Sequence, residues 1–233
     1  MRHGSFAFVM AFGCLSGFAA LAQVPPALTI RGWGDVVDSD NDCSVGVNGT
    51  KVVMKIPDAA HDFAGELNRW NAPRIVRDIK GDFIAEVKVS GEFKPVEGSN
   101  IPTRRSYNGA GILLISDKNN HVSLQRGTVY FDEKVRHYLN FELRKDAELP
   151  ISLSEIELAD ADAYLRLERR GKKVYGMGSN DGINWKSYDP IEVDFPDKLT
   201  LAVAAINSSK APFTCAFEGL TIFRKVTDSP ASK

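Results

Sequence analysis

The chain has little of what most enzymes advertise. Its 233 residues hold three cysteines and four histidines, none in a paired-cysteine or His-x-x-x-His spacing, so the usual zinc motifs are absent. There is no Gly-x-Ser-x-Gly nucleophile elbow and no phosphate-binding glycine loop. Neither sign of charge is in excess. The 29 Lys and Arg stand against 30 Asp and Glu for a net charge of -1, which removes the basic footprint of a nucleic-acid binder. No heptad, internal repeat or low-complexity tract occurs, which excludes coiled coils, solenoids and propellers. Long helical periodicity is missing too.

The N-terminus carries the one long apolar run. Arg2 and His3 precede residues 6–21, which are apolar or small, and Ala20, Leu21 and Ala22 fit the small-x-small cleavage rule of an export signal. The run is shorter than the ~20 residues of a spanning helix. This predicts a signal peptide over residues 1–22, a leader over 23–32, a single domain over 33–225 and a flexible tail over 226–233. The mature chain is then secreted or periplasmic, with no transmembrane segment. Cleavage removes Cys14 and leaves Cys43 and Cys215. In an oxidising compartment these two pair as a disulfide, making the first and last strands neighbours. Two separate buried thiols are the alternative.

What is present is strand after strand. In the stretch YLRLER, Leu165 and Leu167 point one way while Tyr164, Arg166 and Glu168 point the other, the period-2 pattern of a half-buried strand. Phe83, Ala85, Val87 and Val89 repeat the pattern, as do Leu139, Phe141 and Leu143. Residues 110–115 are apolar on both faces, as a central strand of a layered sheet is. Turn residues punctuate these runs: Asn48 with Gly49, Asn119 with Asn120, Gly171, and Asn180 to Gly182. Glu218 and Gly219 mark a bulge in the closing strand. Residues 61–70 hold a helical turn or two. Residues 95–106 form a twelve-residue loop of the length that is functional or disordered, and residues 146–162 form a second long connection. The pattern predicts an all-β, two-sheet antiparallel sandwich or jelly roll, and 43% hydrophobic residues suffice for one core.

Several short motifs occur in a fixed order: GDF at 81–83, YNGAG at 107–111, NHVSL at 120–124, YLRLER at 164–169, and SNDG at 179–182 with Trp185. Together they resemble a secreted bacterial family of concanavalin A-like jelly rolls of unknown function, the regulation-of-enolase-like domains. The resemblance spans residues 33–224. It implies a jelly roll related to lectins and laminarinases, and it implies no established activity.

Three acids give an enzymatic reading. Glu155, Glu157 and Asp160 sit at offsets 0, 2 and 5, which resembles the laminarinase signature for retaining hydrolysis of β-glucans, with glutamate and aspartate interchanged at two positions. The plainer reading is a solvated acidic connector. The stretch 179–185 is similar to a sialidase Asp-box one residue short, and reads as turn chemistry. Asp38, Asp40 and Asp42 alternate like the start of a calcium loop but lack the glycine and glutamate that follow; calcium at a sandwich edge is the alternative to a plain acidic surface turn, and otherwise no cofactor is expected.

Strand phase gives the favoured reading. With the leucines inward, one polar face collects Gln125, Tyr138, Asn140, Tyr164, Arg166 and Tyr175, along with His121, Ser123, Glu142 and Glu168. Rings cover the C–H faces of a sugar while amides and charges bond its hydroxyls. A noncatalytic module binding carbohydrate or envelope glycan is therefore expected. A glycoside hydrolase and a structural or protein-interaction module of the envelope remain the other readings.

Overall fold

The computed structural model describes residues 28–224. The export signal, the start of the leader and the tail lie outside the described residues. The first strands are β1 Thr29–Ile30, β2 Gly34–Val37, β3 Ser44–Asn48, β4 Lys51–Ile56, β5 Arg74–Lys80 and β6 Phe83–Glu92. They continue as β7 Ser106–Asp117, β8 Asn120–Phe131, β9 Lys134–Lys145, β10 Glu148–Leu153 and β11 Ala163–Arg170. The last are β12 Lys173–Ser179, β13 Lys186–Ser187, β14 Ile191–Glu192, β15 Lys198–Asn207 and β16 Phe213–Phe223. The region read as a helical turn or two contains a single 3-10 turn, Gly65–Leu67. Among the described residues no helix is long and apolar enough to cross a membrane.

The strands form two antiparallel sheets, as the alternating pattern predicts. One runs β1-β2-β5-β15-β7-β8-β9-β10, and the other runs β13-β12-β11-β6-β16-β4-β3 with β14 beside β12. The inward side chains of both sheets fill one core, including Val122, Leu124, Leu139, Phe141, Leu165, Leu167, Val87 and Phe217, each no more than 2% exposed. The interface is tight enough to require glycine on β12, where a Cβ at Gly176 would come within 2.8 Å of the Phe141 ring on β9.

A second apolar cluster sits on the other side of the first sheet. Phe63 and Ala72, from the connection between β4 and β5, cover Leu113 and Ile115 of β7 and Ala202, Ala204 and Ile206 of β15. This is why β7 is apolar on both faces. The same connection closes over part of the sheet's outer face and leaves the rest open.

Three expectations change. The leader is not wholly outside the domain, because β1 pairs with β2 and Ile30 is buried. The long connection 146–162 contains β10, which Pro150 disguises; an edge strand with an irregular register accommodates proline, and β10 is that edge. The disulfide is absent and both cysteines are free. Cys43 precedes β3 and Cys215 lies on β16, with β4 between those strands. Two strand spacings are ~9–10 Å, beyond the ~4.4–6.8 Å Cα span of a disulfide.

Candidate functional site

The open part of the first sheet's outer face is a cleft of 380 Å³. Its floor comes from alternate residues of adjacent strands: Tyr107 on β7, Gln125 on β8, and Tyr138, Asn140, Glu142 and Arg144 on β9. The register places Gln125 opposite Asn140 and Gly127 opposite Tyr138, so the amides and the ring form neighbouring rows. Tyr107 leans across the sheet; its hydroxyl donates to Gln125 Oε1 at 2.9 Å and accepts from Asn140 Nδ2 at 3.5 Å. A Cβ at Gly109 would fall 2.4 Å from Gln125 Oε1 and 2.5 Å from the Tyr107 ring, so glycine there makes room for this contact. The Tyr107 and Tyr138 rings lie 6.4 Å apart, tilted by 49°.

Charged groups frame these rings. Arg144 donates to Glu142 at 2.8 Å and pairs with Glu66 at 3.3 Å, and Arg104 also pairs with Glu66. Glu66 belongs to the 3-10 turn and Arg104 to the loop between β6 and β7, so one carboxylate ties both walls to the floor. Arg105 lies over the Phe131 ring at 3.6 Å, and Arg136 over the Tyr138 ring at 5.1 Å. Burial pushes the Asp62 carboxyl above its usual range, against the pull of Arg144. Burial also raises both tyrosines, so Tyr107 and Tyr138 are neutral hydroxyls at physiological pH. Under the covering connection, both ring nitrogens of His121 and the Ser123 hydroxyl have no hydrogen-bond partner among the described residues. Trp70 packs on the His121 ring at 5.1 Å, and burial lowers the His121 pKa to about 3.

The expected single face is two faces. Gln125, Tyr138 and Asn140 line the cleft. Tyr164, Arg166 and Tyr175 sit on β11 and β12 of the other sheet, and their outward side is the opposite surface of the molecule. There Arg166 pairs with Glu86 at 2.8 Å and lies over Trp185 at 4.2 Å. Arg170 covers Tyr175. The sequence reading missed Tyr107, Asp62, Arg144 and the arginines of the β6–β7 loop. Tyr107 opens the YNGAG motif, and the arginines end the long loop read as functional or disordered, so a signal existed for both.

The acidic connector does not form a strand face. Glu155 and Glu157 are exposed in the segment between β10 and β11, and neither lines the cleft. Glu155 accepts from the Ser154 amide, and Glu157 faces Arg136 at 4.0 Å. Asp160 is instead the counter-ion of Arg126, which is 1% exposed, at 3.5 Å, and it also faces His137 at 3.5 Å. Arg126 packs over Phe93 at 3.8 Å and donates to the Ala161 carbonyl at 3.0 Å.

Asp38, Asp40 and Asp42 do not converge either. Asp38 accepts from the amides of Asn41 and Cys43, and Asp40 accepts from Asn71. Asp42 meets His61 and Cys43, the one group of three potential metal donors found among the described residues. The stretch 179–185 is a turn, in which Asp181 accepts from the amides of Ile183 and Asn184 and from Ser179.

No protein-family model matches the sequence, and no curated protein does. Solved structures do match. A functionally unknown protein from Saccharomyces cerevisiae aligns with TM-score 0.66 at 14% identity, covering 84% of this chain and 98% of that one. The GH43 protein BlXynB from Bacillus licheniformis aligns with TM-score 0.55 at 13% identity, over 81% of this chain and 39% of that chain. The VIP36 exoplasmic/lumenal domain, in a Ca2+/Man3GlcNAc-bound form, aligns with TM-score 0.53 at 12% identity, over 81% and 84%. Likeness at these identities is likeness of fold, and it makes this chain an all-β, two-sheet sandwich of the architecture shared by those proteins.

Proposed function

We propose that this chain is a secreted or periplasmic, noncatalytic module that binds carbohydrate or envelope glycan in the cleft on the outer face of the β7-β8-β9 sheet. The observation that carries the reading is the arrangement of Tyr107 and Tyr138 beside Gln125 and Asn140 on the cleft floor. Two tilted rings offer apolar surface to sugar C–H groups, and the amides and the Glu142–Arg144 pair offer donors and acceptors for hydroxyls. The bound glycan of the VIP36 structure supports the class of ligand for this fold. Glu142 and Glu66 are held in ion pairs with arginines, which suits recognition better than proton transfer.

A glycan array tests it, with binding to hits quantified by calorimetry. Tyr138→Ala and Asn140→Ala are expected to abolish array binding while Tyr164→Ala, on the opposite surface, leaves it intact. Binding that follows Tyr164 instead, or hydrolysis of the bound glycan, would overturn the proposal.

A further inference from the structure

Away from the cleft, at the turn after β2, we propose that Asp42, Cys43 and His61 form a binding site for a divalent transition-metal ion of the zinc class. Their ligand atoms all lie within 4.8 Å of one another. His61 Nε2 is 2.9 Å from Asp42 Oδ1, and Cys43 Sγ is 3.5 Å from the same oxygen. Zinc bonds of ~2.0–2.3 Å in a tetrahedron set donor atoms ~3.3–3.7 Å apart; two edges of the trio, at 2.9 and 3.5 Å, lie near that spacing and the third is within 4.8 Å.

The histidine is oriented as a ligand. His61 Nδ1 lies 3.2 Å from the Ala59 carbonyl, and in the tautomer that donates to this oxygen Nδ1 carries the hydrogen. The lone pair of a neutral ring is then on Nε2, aimed at a carboxylate oxygen that also only accepts. Two lone pairs at this distance need a cation between them, either a metal ion or a proton. Metal-bound histidines are held in this way, with the second ring nitrogen donating to a carbonyl or carboxylate. Asp38 fixes the third ligand by accepting the Cys43 amide at 2.9 Å. The mixed nitrogen, oxygen and sulfur set selects zinc-class ions over calcium, which takes oxygen ligands. Asp42 is exposed and Cys43 half-buried, so an ion and one water reach the site from solvent. His61 itself is fully buried and exchanges backbone hydrogen bonds with Asn207 at the end of β15, so the site stands on a rigid element.

Calorimetry of the tag-free mature chain with zinc chloride, with a calcium chloride arm, tests the assignment. One zinc ion per chain is expected, with affinity at least tenfold weaker in Cys43→Ser and in Asp42→Asn. Cobalt loading is expected to give a thiolate charge-transfer band that Cys43→Ser abolishes, and zinc to protect Cys43 from alkylation. A His61 variant risks unfolding, and the other two substitutions avoid that. Absence of zinc binding, binding undiminished in both variants, or binding of calcium in preference to zinc would overturn the proposal. An unchanged alkylation rate in zinc would do so as well, since it leaves a bare Asp42–His61 ion pair. None of these outcomes bears on glycan binding in the cleft.

Discussion

Gly176 of β12 faces Phe141 of β9 across the sandwich, with 2.8 Å between the ring and the place a Cβ would take. The ring in turn stacks on Tyr188 at 6.2 Å, whose hydroxyl donates to the Leu139 carbonyl, so it has little freedom to retreat. Gly176→Ala is therefore expected to destabilise the domain by about 1–3 kcal/mol through overpacking. Urea unfolding measures it. A midpoint equal to or above that of the parent would show that the sheets can separate at no cost.

Within the cleft, the Tyr107 hydroxyl and ring are separable. Tyr107→Phe keeps the ring and leaves Gln125 Oε1 without its donor, an expected loss of about 1 kcal/mol in glycan affinity. Tyr107→Ala removes the platform as well and is expected to cost tenfold or more, as truncation of a central aromatic does. Calorimetric titration of the parent and both variants gives the comparison. Equal losses in the two variants would place the ring outside the binding surface.

His121 makes stability depend on pH. Its folded pKa of about 3 lies below the ordinary value of 6.5, because burial and Arg144 outweigh Asp117. Below pH 6.5 the unfolded chain takes up a proton that the folded chain refuses, so this contribution is complete above about pH 6.5 and is lost as pH falls toward 3. The upper bound is on the order of 5 kcal/mol. His121→Leu is expected to flatten the fall in melting temperature between pH 6.5 and pH 4. Parallel curves for the two proteins would contradict the assignment.

Asp160 is expected to act on stability. Its carboxylate is 64% exposed, so its pairing with Arg126 is discounted for solvent, and Asp160→Asn is expected to cost about 1 kcal/mol. Arg126→Ala, which also empties the space over Phe93, is expected to cost more. Denaturant midpoints of the two variants decide the order. A lost hydrolytic activity in Asp160→Asn with unchanged stability would restore the catalytic reading.

The cysteines are expected to titrate as two free thiols in denaturant without reductant, counted on the mature chain. In the folded protein Cys43 is expected to react with a maleimide and Cys215, buried on β16, only on unfolding. A single mass increment of zero after denaturation and alkylation would mean the two are bridged.

Much of the architecture was readable in the residues. Alternation at Leu165 and Leu167, or at Leu139, Phe141 and Leu143, is a local consequence of strand geometry, and it named which side chains go inward. Turn residues located the hairpins, and Gly219 the bulge, because backbone conformation at a turn depends on a few neighbouring residues. The same locality failed at β10, where edge position overrides the proline signal, and at Cys43, where an intervening strand separates two residues of matching phase.

Phase says whether Tyr164 and Tyr138 point outward and nothing about which sheet carries each. That choice is made by pairings between distant segments: β15 enters between β5 and β7, and β6 between β11 and β16. These pairings join segments far apart in the chain, and they put Tyr138 and Tyr164 on opposite surfaces. They also brought Glu66 to Arg144 and His61 to Asp42. The sequence by itself determined a strand grammar with a polar outer face; the tertiary structure alone decided where that face became a cleft, because a site is assembled from residues that the chain keeps far apart until the sheets are built.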